Sequence, residues 1–576
     1  MKKIVSIILC LIMVLGMCAT SLAEEPATIV LKNGAVYTMN DDLDVVSAIA
    51  IKDNKIVYVG DDAGAEAFVG EGTQVVDLEG KMVTPGFMNG HDHFASLEYS
   101  KRTTLEMPAY STLEEYQAAI VAYAEAHPEL ESIGGGAIDL KVFGDEIPNS
   151  KFLTECLPDT PAMISDVSGH GQFLNQAAMD LLGITEDYEE VPGSTIYRYE
   201  DGSLTGYFSD HNEVLNSGIG TVEFDKDVYI EAVKEFMATA NSYGMTALND
   251  GGSSVEKMEV LSEMGANGEL TMRLQLPLMA NTAWDGAAGE EAAKVLDSVQ
   301  DLQNDFVRMN QVKNIIDGVP EGKSALLLEP YAETAGMGDD FYGPNYCTQE
   351  ELNDFVAAID KAGYSVLIHS MGDGGVHMSV TAFANAADVN GTTDNRHTVI
   401  HTTLITDEDI QKAAEYGIFL NTQPVWFYVE PQFGALELQM FGEERFYNEY
   451  NMRDRVEAGC KFTGGSDYSV TMDFSPLSGI ECGVTMGSPY EGEQGNPEFV
   501  RDADQTVSVM EMLKCYTIYC AEQAHMEDLI GSLEVGKMAD ITVLGQDITK
   551  CDPLTISETE VVATISDGRV VYGELK

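Results

Sequence analysis

The middle of the chain alternates short apolar runs with capped amphipathic helices, and that alternation restricts the possible folds more than any other feature. Thr348-Gln349-Glu350-Glu351 has the Thr-x-x-Glu form of a capping box, Leu352, Phe355, Val356 and Ile359 follow at helical spacing, and Gly363 closes the segment. Ser365-Val366-Leu367-Ile368-His369 comes next, a run that reads as a buried strand ending in histidine. The unit recurs: Thr406 to Glu415 reads as helix, Gly417 stops it, and Ile418-Phe419-Leu420 reads as strand. Repeated β-then-α units predict a parallel sheet in an α/β fold. Strand candidates fall at Val83–Met88, Thr246–Leu248, Met272–Leu276, Val312–Ile316, Val366–Ile368, Thr398–Ile400, Ile418–Leu420 and Phe462–Thr463. Eight is the number that a closed (β/α)8 barrel of the TIM type requires.

The two ends of the chain have a different pattern. Ile29-Val30-Leu31, Val36-Tyr37, Ile49 to Ile51 and Ile56 to Val59 are short β-forming runs, with turns at Asn33-Gly34, Asp53-Asn54 and Glu79-Gly80, and read as hairpins. The last residues repeat this character in Ile541 to Leu544, Val561 to Ile565 and, across the turn Asp567-Gly568, Val570 to Tyr572. Strand-rich ends around an α/β middle predict a small β-sandwich built from residues 24–84 and 531–576, with the barrel, residues 85–530, inserted between them. Residues from about 95 to 222, between the first and second barrel strands, are too many for a simple crossover. A subdomain covering the barrel mouth is expected there.

Met1-Lys2-Lys3, an apolar run from Ile4 to Met17 and the small-x-small end Ser21-Leu22-Ala23 make residues 1–23 a secretory signal peptide. The run is short for a membrane span, and Met17 stands where a lipid anchor on Cys18 would want a small residue. A secreted or extracytoplasmic protein without a membrane span is expected. Lys and Arg number 32 against 95 Asp and Glu, a formal charge of −63 that becomes −65 when Lys2 and Lys3 leave with the leader. Such a field repels phosphate backbones and argues against nucleic acid as a partner. Hydrophobic residues at 44% are ample for a large core. The seven cysteines beyond the leader are odd in number, scattered and free of Cys-x-x-Cys, so they indicate neither a zinc knuckle nor a disulfide scaffold.

The chemistry lies in polar residues at strand ends. His91 and His93 follow the first strand in Pro85-Gly86-Phe87-Met88-Asn89-Gly90-His91-Asp92-His93. Side chains two apart share a face of an extended chain, so both imidazoles can meet one ion. Lys313 lies within the fourth strand, His369 ends the fifth, His401 ends the sixth and Asp467 follows the eighth. Barrel enzymes place catalytic groups at the C-terminal ends of different strands, and unrelated buried polar residues are a poor account of the whole group.

In these residues the chain resembles the amidohydrolase superfamily and, within it, amidohydrolase family 3, which includes N-substituted formamide deformylases. Pro85 to His93 is similar to Pro-Gly-Phe-x-Asp-x-His-x-His, and Lys313 with Asp317-Gly318 and Leu328-Glu329-Pro330-Tyr331 to the lysine strand and its loop. His369-Ser370-Met371-Gly372-Asp373, Arg396-His397 through His401, Asn421-Thr422-Gln423-Pro424, Gly465-Ser466-Asp467 and Gly531 to Asp540 match further blocks in order. The resemblance implies hydrolysis of a non-peptide, amide-like C–N bond of a small-molecule substrate by a metal-activated hydroxide, with one or two divalent metals per chain, zinc being usual. It implies that His91, His93 and Asp467 hold one metal, that His369 and His401 hold a second, and that Lys313 bridges them as a carbamate. An anionic carbamate suits two dications where an ammonium does not. Asp467 is then the proton shuttle. His170, in Ser168-Gly169-His170, is a substrate-orienting candidate, and Asp373 and His397 are candidates to fix ligand tautomers from behind.

The chain departs from the family pattern at Ile400 and Ser168, where the family carries glutamate and aspartate, at Asp210, where it carries glutamate, and around Ile138-Asp139, which lacks the family's tryptophans. These differences bear on the substrate more than on the reaction. Two other readings stay open: a mononuclear zinc aminohydrolase that deaminates an amino-heterocycle, with Asp373 as the nearby acid, and a non-catalytic metal- or solute-binding surface protein. The oligomeric state is not legible in the sequence.

Overall fold

The computed structural model describes residues 25–107, 112–144, 146–167, 169–190, 194–209, 211–280, 286–392, 394, 396–431 and 433–576. The leader, residues 1–23, and the departures at Ser168 and Asp210 lie outside them.

The central α/β region is TIM-barrel-like. Strands Phe87–Asp92, Met245–Asp250, Arg273–Gln275 and Val307–Arg308 form one parallel sheet, and Leu278–Met279, Gln311–Ile315, Ser365–Ser370, Thr398–His401, Phe419–Thr422 and Phe462–Gly464 form another. The third predicted strand, Met272–Leu276, falls in the first sheet and the fourth, Val312–Ile316, in the second; beside each, Leu278–Met279 and Val307–Arg308 add a short strand to the other sheet. Leu274 pairs with Val307, but Leu278 pairs with Val312, so the register slips by one residue where the ladder is interrupted. Ser253 bridges to Leu278 at one seam, and at the other Asp467 N donates to His91 O at 3.1 Å. The capping box holds: Thr348 Oγ1 accepts from Glu351 N, and the Glu351 carboxylate accepts from Thr348 N at 2.8 Å. Thr406 caps helix Asp407–Tyr416, which Gly417 ends in the left-handed region.

The first strand candidate, Val83–Met88, is corrected. Met82–Pro85 belongs to the sheet of the chain ends, the barrel strand starts at Phe87, and Gly86 between them donates to Asp540 O at 2.9 Å. A Cβ on Gly86 would stand 2.1 Å from Thr246 Oγ1, so only glycine lets the chain change sheets there. Met82–Pro85 pairs with Ile541–Leu544 on one side and Ala35–Tyr37 on the other, which joins both chain ends in one six-stranded sheet. A second, four-stranded sheet contains Ile29–Lys32, and Ile29, Leu31, Ile49, Val83, Ile541 and Ile565 from the two sheets share one buried cluster. Asn33-Gly34 is therefore a crossing between sheets rather than a hairpin; Asp53-Asn54 does close a hairpin.

Leu105–Glu106, Ile133–Ile138, Ala162–Asp166, Gly171–Leu174, Thr195–Arg198 and Leu204–Ser209 form a separate six-stranded mixed sheet with its own core around Phe143, Phe152 and Phe173. In sequence these strands lie between Phe87–Asp92 and Met245–Asp250, in the region read as an insertion. Helix Ser96–Thr103, just before it, packs on the first barrel helix, Lys226–Ser242, through the Arg102–Glu235 ion pair.

Candidate metal centre

His91 ends the first barrel strand and is buried; His93, two residues on, keeps 40% of its side chain exposed. Asp467 follows the eighth strand, in the left-handed region at φ 56°. Its Oδ1 lies 3.3 Å from His91 Nε2 and 3.2 Å from His93 Nε2, and is buried without a well-aligned hydrogen bond. The three ligand atoms fall within 4.8 Å of one another. Two imidazoles and a carboxylate converging with poor mutual alignment form a donor group that suits a divalent transition metal. Burial works against the Asp467 charge, but His91 and His93 hold its carboxyl well below the ordinary range.

The second group adjoins the first. The His401 ring centroid is 5.3 Å from that of His91 and 4.4 Å from that of His369. His369 is pushed down to about 3 by burial, with Lys313 and His170 acting in the same direction, and burial also takes His91 and His401 well below the usual histidine value. All three are neutral imidazoles at pH 7, the form that binds metal. Lys313 is 2% exposed, and burial lowers its ammonium to about 8 against the opposing pull of Asp467 and Asp250.

Several supporting residues escape sequence reasoning. Asp317 Oδ1 stands 3.3 Å from His369 Nδ1, and Gln423 Oε1 stands 2.8 Å from His401 Nδ1. Asn89 donates to Asp92 at 2.8 Å and to Ser466 at 2.7 Å, tying the first strand to the loop that carries Asp467. Thr402, a β-branched residue at φ 44°, follows His401 at φ 77°, and buried Arg455 donates to its carbonyl at 2.6 Å and its hydroxyl at 2.8 Å. Backbone of this kind costs about 1–3 kcal/mol per residue and needs such a clamp. Trp426 stacks on His401 at 5.7 Å and 8°, and its indole N–H donates to Thr471, four residues past Asp467.

The expected supporting residues are placed differently. His397 lies at the far end of the strand from His401, about 13 Å away at 3.3 Å per residue. Its Nε2 meets Asp360 at 2.9 Å, and its Nδ1 accepts from Val366 N at 3.0 Å. Asp373 accepts from Leu328 N at 2.9 Å, and Asp317, not Asp373, takes the place beside His369. His170 does reach the site, with its ring 6.4 Å from that of His369. Burial pushes the carboxyl of Glu321, in the loop after the lysine strand, up to about 7; the charge of Glu437 adds to the rise, and His170 and Asp166 act on it more weakly and in opposite senses.

A family model described as "Amidohydrolase family" matches residues 74–572. The chain is 25% identical over 563 residues to protein LONG AFTER FAR-RED 3 of Arabidopsis thaliana, covering 95% of this chain and 92% of that one. It is 23% identical over 550 residues to the N-substituted formamide deformylase of Arthrobacter pascens, covering 94% and 97%. An uncharacterized metal-dependent hydrolase from Pyrococcus furiosus shares the fold at TM-score 0.66 and 21% identity, covering 91% of this chain and all of that one. The chain belongs to the amidohydrolase family and is a hydrolase acting on carbon–nitrogen bonds other than peptide bonds.

Proposed function

We propose that the protein is an exported enzyme that hydrolyses an amide-like C–N bond of a small molecule at a site for one or two divalent metals, zinc being the expected ion. The two parallel sheets are read as one closed (β/α)8 barrel and the paired chain ends as a β-sandwich around it. Export rests on the leader over residues 1–23; among the described residues no helix is long and apolar enough to cross a membrane.

His91, His93 and Asp467 would hold one cation, and His369 and His401 a second, with Lys313 between them as a carbamate. A divalent cation there supplies Lewis acidity toward a carbonyl and acidifies water. The chain's own residues do the rest. Asp467, ionised and buried, takes a proton from the attacking water and passes it to the leaving nitrogen as the C–O bond forms and the C–N bond breaks. His170 reaches over from the insertion to orient the substrate. Lys313, lowered to about 8, offers CO2 its neutral amine near neutral pH.

The observation that carries this reading is the convergence of His91, His93 and Asp467 beside His369, His401 and Lys313. The deaminase alternative has less support, because the Asp373 carboxylate is engaged by Leu328 N. The test is Asp467→Asn, assayed for bound metal and for turnover on a panel of small amides, lactones and heterocycles. Turnover should fall about 10²–10⁴-fold, with a far smaller loss of metal. A variant that keeps both its metal and the parental rate takes Asp467 out of the chemistry and favours a binding protein.

A further inference from the structure

We propose that Asp317 is a positioning residue that fixes the tautomer of His369 and, through the same carboxylate, ties this ligand to the loop over residues 318–326. The inference deepens the metal-site reading above and rests on it for the role of His369.

The Asp317 side chain is fully buried and meets four nitrogens. Oδ1 accepts from Met371 N at 3.0 Å and stands 3.3 Å from His369 Nδ1; Oδ2 accepts from Gly372 N at 2.9 Å and Leu326 N at 3.1 Å. An ionised carboxylate is acceptor-only and has lone pairs for all four. Burial pushes the Asp317 carboxyl up to about 7, and the three backbone N–H groups, which can only donate, oppose that rise; in its ionised form the carboxylate is acceptor-only and His369 Nδ1 carries the hydrogen. Nε2 is then left with its lone pair free for a cation.

The sequence around the histidine is shaped for this contact. Leu326, whose N–H goes to Asp317, accepts through its carbonyl from Gly374 N at 2.9 Å and Gly375 N at 3.1 Å. A Cβ on Gly375 would stand 2.7 Å from Asp317 Oδ2, and one on Gly372 would stand 2.1 Å from Leu326 O. The glycines of His369-Ser370-Met371-Gly372-Asp373-Gly374-Gly375 thus let the Asp317–Leu326 segment lie directly on the turn after His369. That segment carries Glu321, whose carboxyl is within electrostatic reach of His170. One carboxylate therefore joins a metal-ligand candidate to the loop that carries Glu321.

Asp317→Asn should break the arrangement at almost unchanged volume. An amide placed with its NH2 toward His369 offers a donor where an acceptor was, so Nδ1 must accept and Nε2 takes the hydrogen. Two measurements decide the matter. In metal-free protein with ¹⁵N-labelled histidine, held about one to two pH units above the Asp317 value so that the carboxylate is ionised, wild-type His369 should show the Nδ1–H form and Asp317→Asn should raise the Nε2–H form. In competition with a zinc chelator, the variant should bind its weaker zinc equivalent about 10–100-fold less tightly and the other within a few fold. An Nε2–H tautomer in the wild type overturns the proposal even if the variant fails to fold, and so does a folded variant with unchanged tautomer and zinc binding. Wild-type protein that takes up no zinc sinks the metal-site reading, while the tautomer, which needs no metal, still decides the role of Asp317.

Discussion

Arg273→Met tests how the chain ends are held to the barrel. Arg273 sits on a barrel strand with no exposed surface and reaches the C-terminal strands: Nε donates to Asp540 Oδ2 at 2.8 Å, and Nη2 to Asp540 Oδ1 at 3.2 Å and Asp567 Oδ1 at 3.1 Å. Burial disfavours its charge, yet Asp540 and Asp567 hold it above the ordinary arginine value. Removing the guanidinium strands two adjacent carboxylates with no cation. Breaking a buried pair from one side costs about 3–5 kcal/mol. The loss has a ceiling, because one carboxyl can take a proton instead. From an ordinary aspartate value this escape costs about 4 kcal/mol at pH 7 and about 1.5 kcal/mol at pH 5. The variant should therefore lose about 3–4 kcal/mol at pH 7 and clearly less at pH 5, and Asp540→Asn on top of it should restore part of the loss. Urea unfolding at both pH values measures the deficit, and amide exchange in Ile541–Leu544 locates it. Unchanged stability at pH 7, or a deficit that does not shrink at pH 5, would refute the claim that this ion pair docks the ends.

Two further substitutions address the site. Lys313→Ala should lose about one of two metals and most of the activity, with partial rescue by short carboxylic acids; a variant with full metal content rules out the bridge. Glu321→Gln should flatten the pH dependence of melting between pH 5 and 8. The folded carboxyl, about 7, is raised above its unfolded value, so its stabilisation is complete below the unfolded value and lost as pH rises through 7. The variant should gain most relative to wild type above pH 7, and melting curves that differ by the same amount at every pH count against the raised carboxyl.

Much of the architecture was legible because it rests on local signals. The helix cap at Thr348 and the stop at Gly417 need only neighbours in sequence, and ligand candidates at strand ends follow from period and order. What escaped depends on contacts between distant segments. Asp317 lies 52 residues from His369, and nothing local marks it as that histidine's partner. His397 shows the converse error. It shares a sequence block with His401, but extended backbone carries the two to opposite ends of the strand, and its partner is Asp360 on a barrel helix. Val83 to Met88 reads as one strand because only Thr84 interrupts its apolar side chains, although the expected domain boundary fell at residues 84/85; the pairing partners show that the sheet changes at Gly86.

The site divides by origin, and this bears on how reaction and substrate separate in the chain. His91, His93, His369, His401, Lys313 and Asp467 all stand on barrel strands or just past their ends. Of the other charged groups, His170 and Asp166 come from the insertion and Glu321 from the loop that Asp317 anchors. Departures from the family pattern at Ile138-Asp139, Ser168 and Asp210 fall within the sequence of the insertion, where a change can alter what is bound without moving a ligand. Ile400 is the exception, since it pairs in register with His369 inside the barrel. An apolar side chain there removes a carboxylate that the family pattern keeps beside the second pair of histidines. The carboxyl beside that pair is then Asp317, which reaches His369 from the neighbouring strand's loop, while Gln423 supplies His401 with an amide acceptor. Metal affinity at the second position should accordingly depend on Asp317 more than on Gln423.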